Sequence, residues 1–284
     1  MGFDPATIQF LAASQKLGVS LDRVLTLGRQ WMYIKPDQLR ALLARNGVNM
    51  SGPEAAALFA DDGYCERFLN SLGAANVDSM DVSAYEKATI IHDLNQPWPD
   101  SLRERFSLII DAGTLEHVFN FPIAIKSIME AIAPGGHFLC ITPANNLMGH
   151  GFYQFSPELY FRVFTPENGF AIEKVIVYEQ PWKGTWYEVA NPSQIRSRVE
   201  LVNTRPVYMI VCAKKIASVD VLAQAPVQSD YPLMYWQAAP GAEAAGLKPK
   251  PGASMLRNLA PEWVGAWYRK LRPFRPRYFK KVRS

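Results

Sequence analysis

Short apolar runs rich in β-branched residues alternate with helical segments along most of this sequence, and that alternation most restricts its fold. The runs close with Gly, Asp or Pro, and helical spacing of apolar residues follows. Strands apolar on both faces and separated by helices predict a mostly parallel sheet covered on both sides. A chain of 284 residues can bury such a core. We therefore expect an α/β protein with a doubly wound sheet.

The predicted boundaries follow from this pattern. Strands are expected at 23–28, 76–81, 88–95, 106–113, 137–143, 171–179 and 207–215. Helices are expected at 36–46, 61–72, 121–133 and 157–164. The chain is thus predicted to have a main domain at 1–215, a Pro-, Ala- and Gly-rich linker or arm at 216–257, and a tail at 258–284.

The charge is distributed unevenly. Residues 248–284 contain eleven Lys and Arg and one acid, so they carry +10, while the rest of the chain carries −6. Within the basic tail, which starts at 258, Trp263, Trp267 and Leu271 fall on one helical stripe. This pattern is typical of segments that bind an anionic membrane surface or a protein partner, and docking on the acidic body of the protein itself is a third option. Nucleic acid ranks lower, because the body has no basic binding module. A solvated basic end remains the plainest alternative.

The sequence also argues against a membrane-spanning, a secreted or a disulfide-rich protein. The apolar runs are strand-sized, which predicts no transmembrane span. The N-terminus has Asp4 and no basic segment, so no secretory leader is expected. Cys65, Cys140 and Cys212 are far apart, which indicates buried thiols. We expect a cytoplasmic protein, with the basic arm allowing contact with the inner face of the membrane.

Polar residues and glycines close the predicted strands. They are Gly28, Asp81, Asp93 and Asp111, with Gly113 just beyond. In a doubly wound sheet, ligands bind outside the carboxyl ends of the strands. Carboxylates there can accept hydrogen bonds from ribose hydroxyls and amino groups. The alternative for each single Asp is that it terminates a strand or caps a helix.

Residues 111–145, DAGTLEHVFNFPIAIKSIMEAIAPGGHFLCITPAN, resemble the class I S-adenosylmethionine-dependent methyltransferases of type 11/12. The shared pattern is an acid ending the fourth strand, a Leu-Glu-His step, and Pro-Gly-Gly before the fifth strand. The resemblance covers about 20–215. It implies a Rossmann-like, mostly parallel seven-stranded sheet whose last strand is antiparallel, and S-adenosyl-L-methionine as the cofactor.

The resemblance also implies roles for the residues that close the strands. Gly28 matches the loop that approaches the methionine part of the cofactor, and Asp81 matches the acid that holds the ribose. Asp93 and Leu94 match the position facing adenine. The backbone of Asp111 to Gly113 matches the segment that passes the sulfonium.

The first loop departs from the family pattern. The family's Gly-x-Gly-x-Gly is replaced here by Gly28-Arg29-Gln30-Trp31-Met32, and an insertion follows at about 33–60. Side chains in this loop would block the backbone from the ligand. The cofactor is therefore either held in an altered way or no longer bound, and in the second case the chain is a non-catalytic scaffold or binding protein.

A second candidate site follows the fifth strand, in the loop from Asn145 to Phe155. Methyl transfer to a hydroxyl needs an in-line nucleophile and a base. We predict His150 as the base, His117 as the second choice, and Tyr153 as a further catalytic side chain; packing or capping histidines are the alternative. No metal triad is predicted. The aromatic loop 182–187 either roofs the substrate pocket or covers the core. The predicted function is methyl transfer to a small-molecule or glycan-type acceptor, at a hydroxyl.

Overall fold

A computed structural model describes residues 2–182, 184–195, 198–231 and 279–282. Their strands form one sheet of nine, with the order β3-β2-β1-β4-β5-β8-β6-β7-β9. The strands are β1 (Arg23–Leu27), β2 (Asn76–Asp81), β3 (Ile90–Ile91), β4 (Phe106–Ala112), β5 (Ile132–Asn145), β6 (Phe170–Glu179), β7 (Trp186–Val189), β8 (Val207–Lys215) and β9 (Phe279–Val282). The predicted α/β class is confirmed. The predicted count of seven strands is wrong, because β7 and β9 extend the sheet beyond β6.

The first five strands are parallel and the remaining ladders are antiparallel. β1 pairs with both β2 and β4, and β4 pairs with β5. β8 is antiparallel to β5 and to β6, as predicted for 207–215. Parallel β1 and β4 lie side by side although their following connections lead to opposite ends of the sheet. This arrangement creates a topological switch point at their carboxyl ends.

Seven α-helices occur in the described residues. They are α1 (Pro5–Ser14), α2 (Pro36–Arg45), α3 (Gly52–Ala57), α4 (Glu66–Ser71), α5 (Phe121–Ala131), α6 (Pro157–Val163) and α7 (Pro192–Ile195). The predicted helix at 61–72 is shortened to α4, because Asp61 and Gly63 have φ of 72° and 70°. A left-handed backbone cannot continue a right-handed helix.

The predicted strand at 88–95 is also shorter than expected. Thr89 exchanges hydrogen bonds with Ser79 through both hydroxyls, which replaces ladder pairing before β3. After β3, the Asp93 carboxylate accepts from the Asn95 backbone N–H at 2.9 Å and turns the chain. Only Ile90–Ile91 therefore pairs with β2.

The sheet separates two apolar cores. On one face α5 and α6 pack against Ile109, Phe138 and Met209. On the other face Leu108, Ile110 and Leu139 lie in a cluster that includes side chains of α1, α2 and α4. Alternate residues of β4 point to opposite faces, as the strand period requires. The three cysteines are buried and free, as predicted.

The insertion at 33–60 joins the N-terminus on one face of the sheet. It forms α2 and α3, and Leu39 and Leu43 of α2 lie in the same core as Ile8 and Leu11 of α1. The Phe3 N–H donates to the Trp31 carbonyl at 2.8 Å, which ties the first residues to the loop after β1. The insertion thus builds a layer over this face.

The described part of the predicted arm, 216–231, lies on the body. The Arg162 guanidinium donates to the Val227 carbonyl at 2.8 Å, and the Ser229 N–H donates to Glu158 at 2.6 Å. Four residues of the basic tail form β9, which pairs with β7 from Trp186↔Val282 to Val189↔Phe279. The predicted amphipathic helix with Trp263 and Trp267 lies outside the described residues. Among the described residues, no helix has both the length and the apolar character needed to cross a bilayer.

Candidate active site

The loops after β1 and β4 meet at the switch point, where Gly28 lies at the centre. Gly28 has φ of 69° and donates its N–H to the Met80 carbonyl at 2.7 Å. A Cβ at this glycine would lie 3.4 Å from the Thr114 Oγ1 and 3.9 Å from the Asp81 Oδ2. The predicted residues Gly28 and Asp81 are therefore brought together, with Thr114 as a third neighbour.

The Gln30 side chain occupies space beside Gly28. Gln30 is 3% exposed, and its amide nitrogen donates to the Leu27 carbonyl and lies 3.4 Å from the Thr114 Oγ1. Its Oε1 is buried and has no hydrogen-bond partner among the described residues. Trp31 instead packs edge-on against Tyr64, with 5.2 Å between ring centroids. The side chain that fills the missing-glycine space is thus Gln30, and it leaves one acceptor unpaired.

The Asp111 side chain holds the turn after β4. It is fully buried, and its Oδ1 accepts from the backbone N–H groups of Thr114 at 2.8 Å and Leu115 at 3.3 Å. Its Oδ2 accepts from the Cys140 thiol at 3.2 Å. Burial raises the pKa of this carboxyl in spite of these bonds. The side chain is structural, and the backbone of 111–113 is the part that faces the switch point.

The residues predicted to face adenine have local partners. Asp93 accepts from both the backbone and the side-chain N–H groups of Asn95 at 2.9 Å, and the backbone bond is the main cause of its lowered pKa. Leu94 is buried in the core on the α5 side of the sheet. The predicted adenine contact through Asp93 and Leu94 stays a prediction.

Three residues that follow β4 and β5 converge at a separate point. The His150 Nε2 lies 3.4 Å from the Glu116 Oε1, and the rings of His117 and His150 are 5.1 Å apart. Glu116 is fully buried, while His117 is exposed and His150 is partly exposed. Burial, with a contribution from the charge of Asp111, raises the pKa of Glu116 to about 8. Desolvation, followed by the charge of His150, lowers the pKa of His117.

The loop 146–155 is held against Glu116 by its backbone. The Glu116 carbonyl accepts from the N–H groups of Phe152 at 2.7 Å and Tyr153 at 3.2 Å. Gly151 has φ of 71°, and a Cβ there would lie 2.7 Å from the same carbonyl oxygen. Only glycine fits this approach, and it places His150 beside Glu116.

Tyr153, the other two histidines and the aromatic loop have partners within the protein, and the catalytic role of Tyr153 stays a prediction. The Tyr153 hydroxyl donates to the Phe119 carbonyl at 2.7 Å. His137 is buried, with its Nε2 3.3 Å from Glu173, and the His92 Nε2 is 3.3 Å from the Gln96 carbonyl. In the aromatic loop, Trp186 is buried in β7 and stacks on Tyr178, which favours the core-covering alternative.

A cavity of about 340 Å³ opens at the carboxyl ends of β4 and β5, on the side covered by α1. Its lining comprises Gly2, Asp4, Thr7, Tyr33, Ala112, Ile141, Gln180 and Tyr208. Burial, and next the negative charge of Glu116, raises the pKa of Tyr208. The cavity presents two phenols, an amide, the Asp4 carboxylate, the Thr7 hydroxyl and apolar side chains.

The expectation that a side chain of the first loop blocks the space beside Gly28 is met by Gln30. Sequence reasoning missed Thr114 as a neighbour of Gly28, and Glu116 altogether. Glu116 had a signal, since it is an acid directly before a histidine at the end of a buried strand. The contact between residues 2–3 and the loop after β1 had no signal in the sequence, because no local pattern specifies that pairing.

The strand order, the switch point and the glycine cradle define a Rossmann-like α/β protein. No protein-family model and no curated protein matches the sequence. A candidate methyltransferase of Bacillus halodurans C-125 matches with 12% identity and a TM-score of 0.41, covering 76% of this chain and 100% of that chain.

Two further solved structures also match. One is the 1,6-didemethyltoxoflavin-N1-methyltransferase of Burkholderia thailandensis, with bound 1,6-didemethyltoxoflavin and S-adenosylhomocysteine: 13% identity, TM-score 0.40, 75% of this chain and 80% of that chain. The other is the [4+2]-cyclase SpnF: 13% identity, TM-score 0.38, 75% and 81%. These values are too low to assign an activity.

Proposed function

We propose that this protein transfers a methyl group from S-adenosyl-L-methionine to a small-molecule or glycan-type acceptor, at a hydroxyl. The observation that carries the proposal is the convergence of the Gly28 backbone and the Asp81 carboxylate at the switch point. That is where a doubly wound sheet binds nucleotide-like ligands. The resemblance of residues 111–145 to class I methyltransferases supports the choice of cofactor.

The donor and acceptor groups at the switch point fit this cofactor. The Asp81 carboxylate can accept from two ribose hydroxyls, and Gly28 leaves its backbone open to a close approach. The unpaired Gln30 Oε1 is an acceptor that the cofactor's ammonium group can satisfy. When bound, the cofactor supplies an electrophilic methyl group on sulfur.

The chain's own part is to hold the acceptor and take its proton. The cavity beside Ala112, Ile141 and Tyr208 suits a flat or hydroxylated molecule, since phenols, an amide, a hydroxyl and a carboxylate line it together with apolar groups. As the acceptor oxygen takes the methyl group and its bond to sulfur breaks, leaving S-adenosylhomocysteine, the hydroxyl proton would pass to His150 or, as the second candidate, His117. Glu116 is a positioning residue for His150, at 3.4 Å from its Nε2.

The second candidate function is a non-catalytic scaffold or binding protein. It is favoured by Gln30, whose buried amide bonds to Leu27 and fills space that the family pattern leaves to glycine. In this alternative the basic tail joins the body to an anionic membrane or a protein partner. The two functions differ in one property, which is affinity for the cofactor.

Calorimetric titration with S-adenosylhomocysteine tests the proposal. We expect saturable binding to the unmodified protein, weakened about tenfold or more by Asp81→Asn, because an amide accepts poorly from two hydroxyls. Asp78→Asn is the matched control: it lies on the same strand, where its carboxylate faces Arg105 and Thr89. Binding should be unchanged there.

Two results of this titration would count against methyl transfer. No heat and no thermal shift at millimolar ligand would refute the proposal, and affinity that appears only in Gln30→Gly would support the scaffold. A methylated product formed by the unmodified protein from an acceptor panel would eliminate the scaffold alternative.

A further inference from the structure

We propose that Glu116, His117 and His150 bind a divalent transition-metal cation of the zinc type. Each of the three residues offers a ligand atom, and the three atoms lie within 4.8 Å of one another. The ligands come from two loops, after β4 and after β5, which the sheet places side by side. The inference does not rest on the cofactor cradle at Gly28 and Asp81, but it gives a second role to the histidines proposed above as the base.

The Glu116 carboxylate is the observation that points to a cation. It is fully buried, and neither of its oxygens meets hydrogen-bond geometry with any described residue, although the Thr142 hydroxyl lies near enough to oppose the rise in its pKa. A buried polar group without a partner is costly, and a buried carboxylate more so. Its backbone carbonyl accepts from the N–H groups of Phe152 and Tyr153, which fixes the backbone from which this side chain extends. A cation would supply the missing partner.

The spacing suits a tetrahedral ion after a small adjustment. Zinc–ligand distances of about 2.1 Å place neighbouring tetrahedral ligands about 3.4 Å apart. The His150 Nε2 and Glu116 Oε1 are separated by 3.4 Å, and this nitrogen also lacks a hydrogen-bond partner. His117 is exposed, so its ring is free to change rotamer, and its ligand atom already lies within 4.8 Å of those of Glu116 and His150.

The ligand chemistry selects the class of cation. Two imidazoles and one carboxylate suit zinc, cobalt and nickel, whereas magnesium and calcium prefer oxygen ligands throughout. A set of two histidines and one glutamate leaves a fourth position for water or a substrate. The cation would occupy the nitrogens that the proposed proton transfer uses, so cation binding and methyl transfer must be measured separately.

The test uses the full chain without a histidine tag, stripped with a chelator and titrated with Zn²⁺ and Co²⁺. We expect one site by calorimetry and the visible absorption of tetrahedral Co²⁺. His150→Ala should weaken binding about 100-fold or more, because loss of a ligand exceeds the usual effect of losing a ligand's supporting partner. His117→Ala should weaken it as well.

His92→Ala is the matched control, since this histidine lies after β3 and contacts the Gln96 carbonyl. Both cluster histidines are at least partly exposed, so thermal unfolding and circular dichroism should show folded variants. Zn²⁺ affinity that is unchanged in both His150→Ala and His117→Ala, or preferential binding of Mg²⁺, would overturn the proposal. S-adenosylhomocysteine titrated into the same variants reports on the cofactor cradle, so failure of one proposal is distinguishable from failure of the other.

Discussion

Gly151 gives the sharpest test of how the loop after β5 is held. Its φ of 71° lies in the left-handed region, and an added Cβ would lie 2.7 Å from the Glu116 carbonyl oxygen. The left-handed backbone costs a residue with a Cβ about 1–2 kcal/mol. Relief of the contact would stretch the 2.7 Å bond from the Phe152 N–H to the same oxygen, which adds about 1 kcal/mol.

Gly151→Ala is therefore expected to lower the free energy of unfolding by about 2–3 kcal/mol, summing those two effects. For a domain of this size that corresponds to a fall in Tm of roughly 5–10 °C. Urea titration followed by circular dichroism measures the first quantity, and a thermal melt measures the second. The same substitution should weaken Zn²⁺ binding, because it moves His150 away from Glu116.

Gly149→Ala is the control, two residues earlier in the same loop. No heavy atom lies within 4 Å of a Cβ built there, and its φ is not in the left-handed region. We expect a change within about 0.5 kcal/mol. If Gly151→Ala were as mild as Gly149→Ala, the close approach of the loop to Glu116 would be wrong, and with it the placement of His150.

Two further predictions concern the body and its edge. Lys215 is buried, donates to the Met129 and Ile132 carbonyls, and lies 3.2 Å from Glu104. The hydroxyl of Ser218, with Lys215, lowers the pKa of Glu104, so its stabilising contribution is present at neutral pH and is lost as pH falls through the lowered pKa. Glu104→Gln should thus lower the free energy of unfolding in urea by about 1 kcal/mol at pH 7, and this difference from the unmodified protein should disappear in acid. A difference independent of pH would contradict this assignment. As a control, Asp220→Asn at an exposed carboxylate should leave the free energy of unfolding unchanged. Deleting residues 279–284 moves the sheet edge from β9, which carries the exposed Lys280 and Lys281, to β7. Charged edge strands oppose association, so light scattering should show stronger concentration-dependent association of the deletion variant than of the full chain. Equal scattering of the two would refute this role of β9.

The parts of the fold that repeat a pattern were predictable from sequence. α5 lies within its predicted range, because Ile125, Ile128 and Met129 share a helical face and Pro122 and Pro134 bracket it. The buried strand β4 was equally clear, since its run of Leu108 to Ile110 is apolar on both faces. The periodicity of apolar residues was sufficient to predict these two elements, because burial of their apolar faces determined the structure.

Where tertiary contacts decide, the prediction was incomplete. Nothing local shows that Asp111 turns into the protein while Asp81 lies beside Gly28, because this depends on the neighbouring Thr114 and Cys140. The pairing of β9 with β7 joins segments about 90 residues apart, and its basic residues suggested a tail rather than a strand. For the site, Gly28, Asp81, His117 and His150 were chosen, whereas Glu116 required the fold.

The position of β9 has a consequence for how the protein is made. Its four residues follow the other strands of the described sheet by about 65 residues, yet they pair with the outer edge of that sheet. During translation, the outer backbone groups of β7 therefore stay unpaired until β9 has been synthesised, although the rest of the sheet can already form. A chain that stops before residue 279 would leave the outer backbone groups of β7 unpaired.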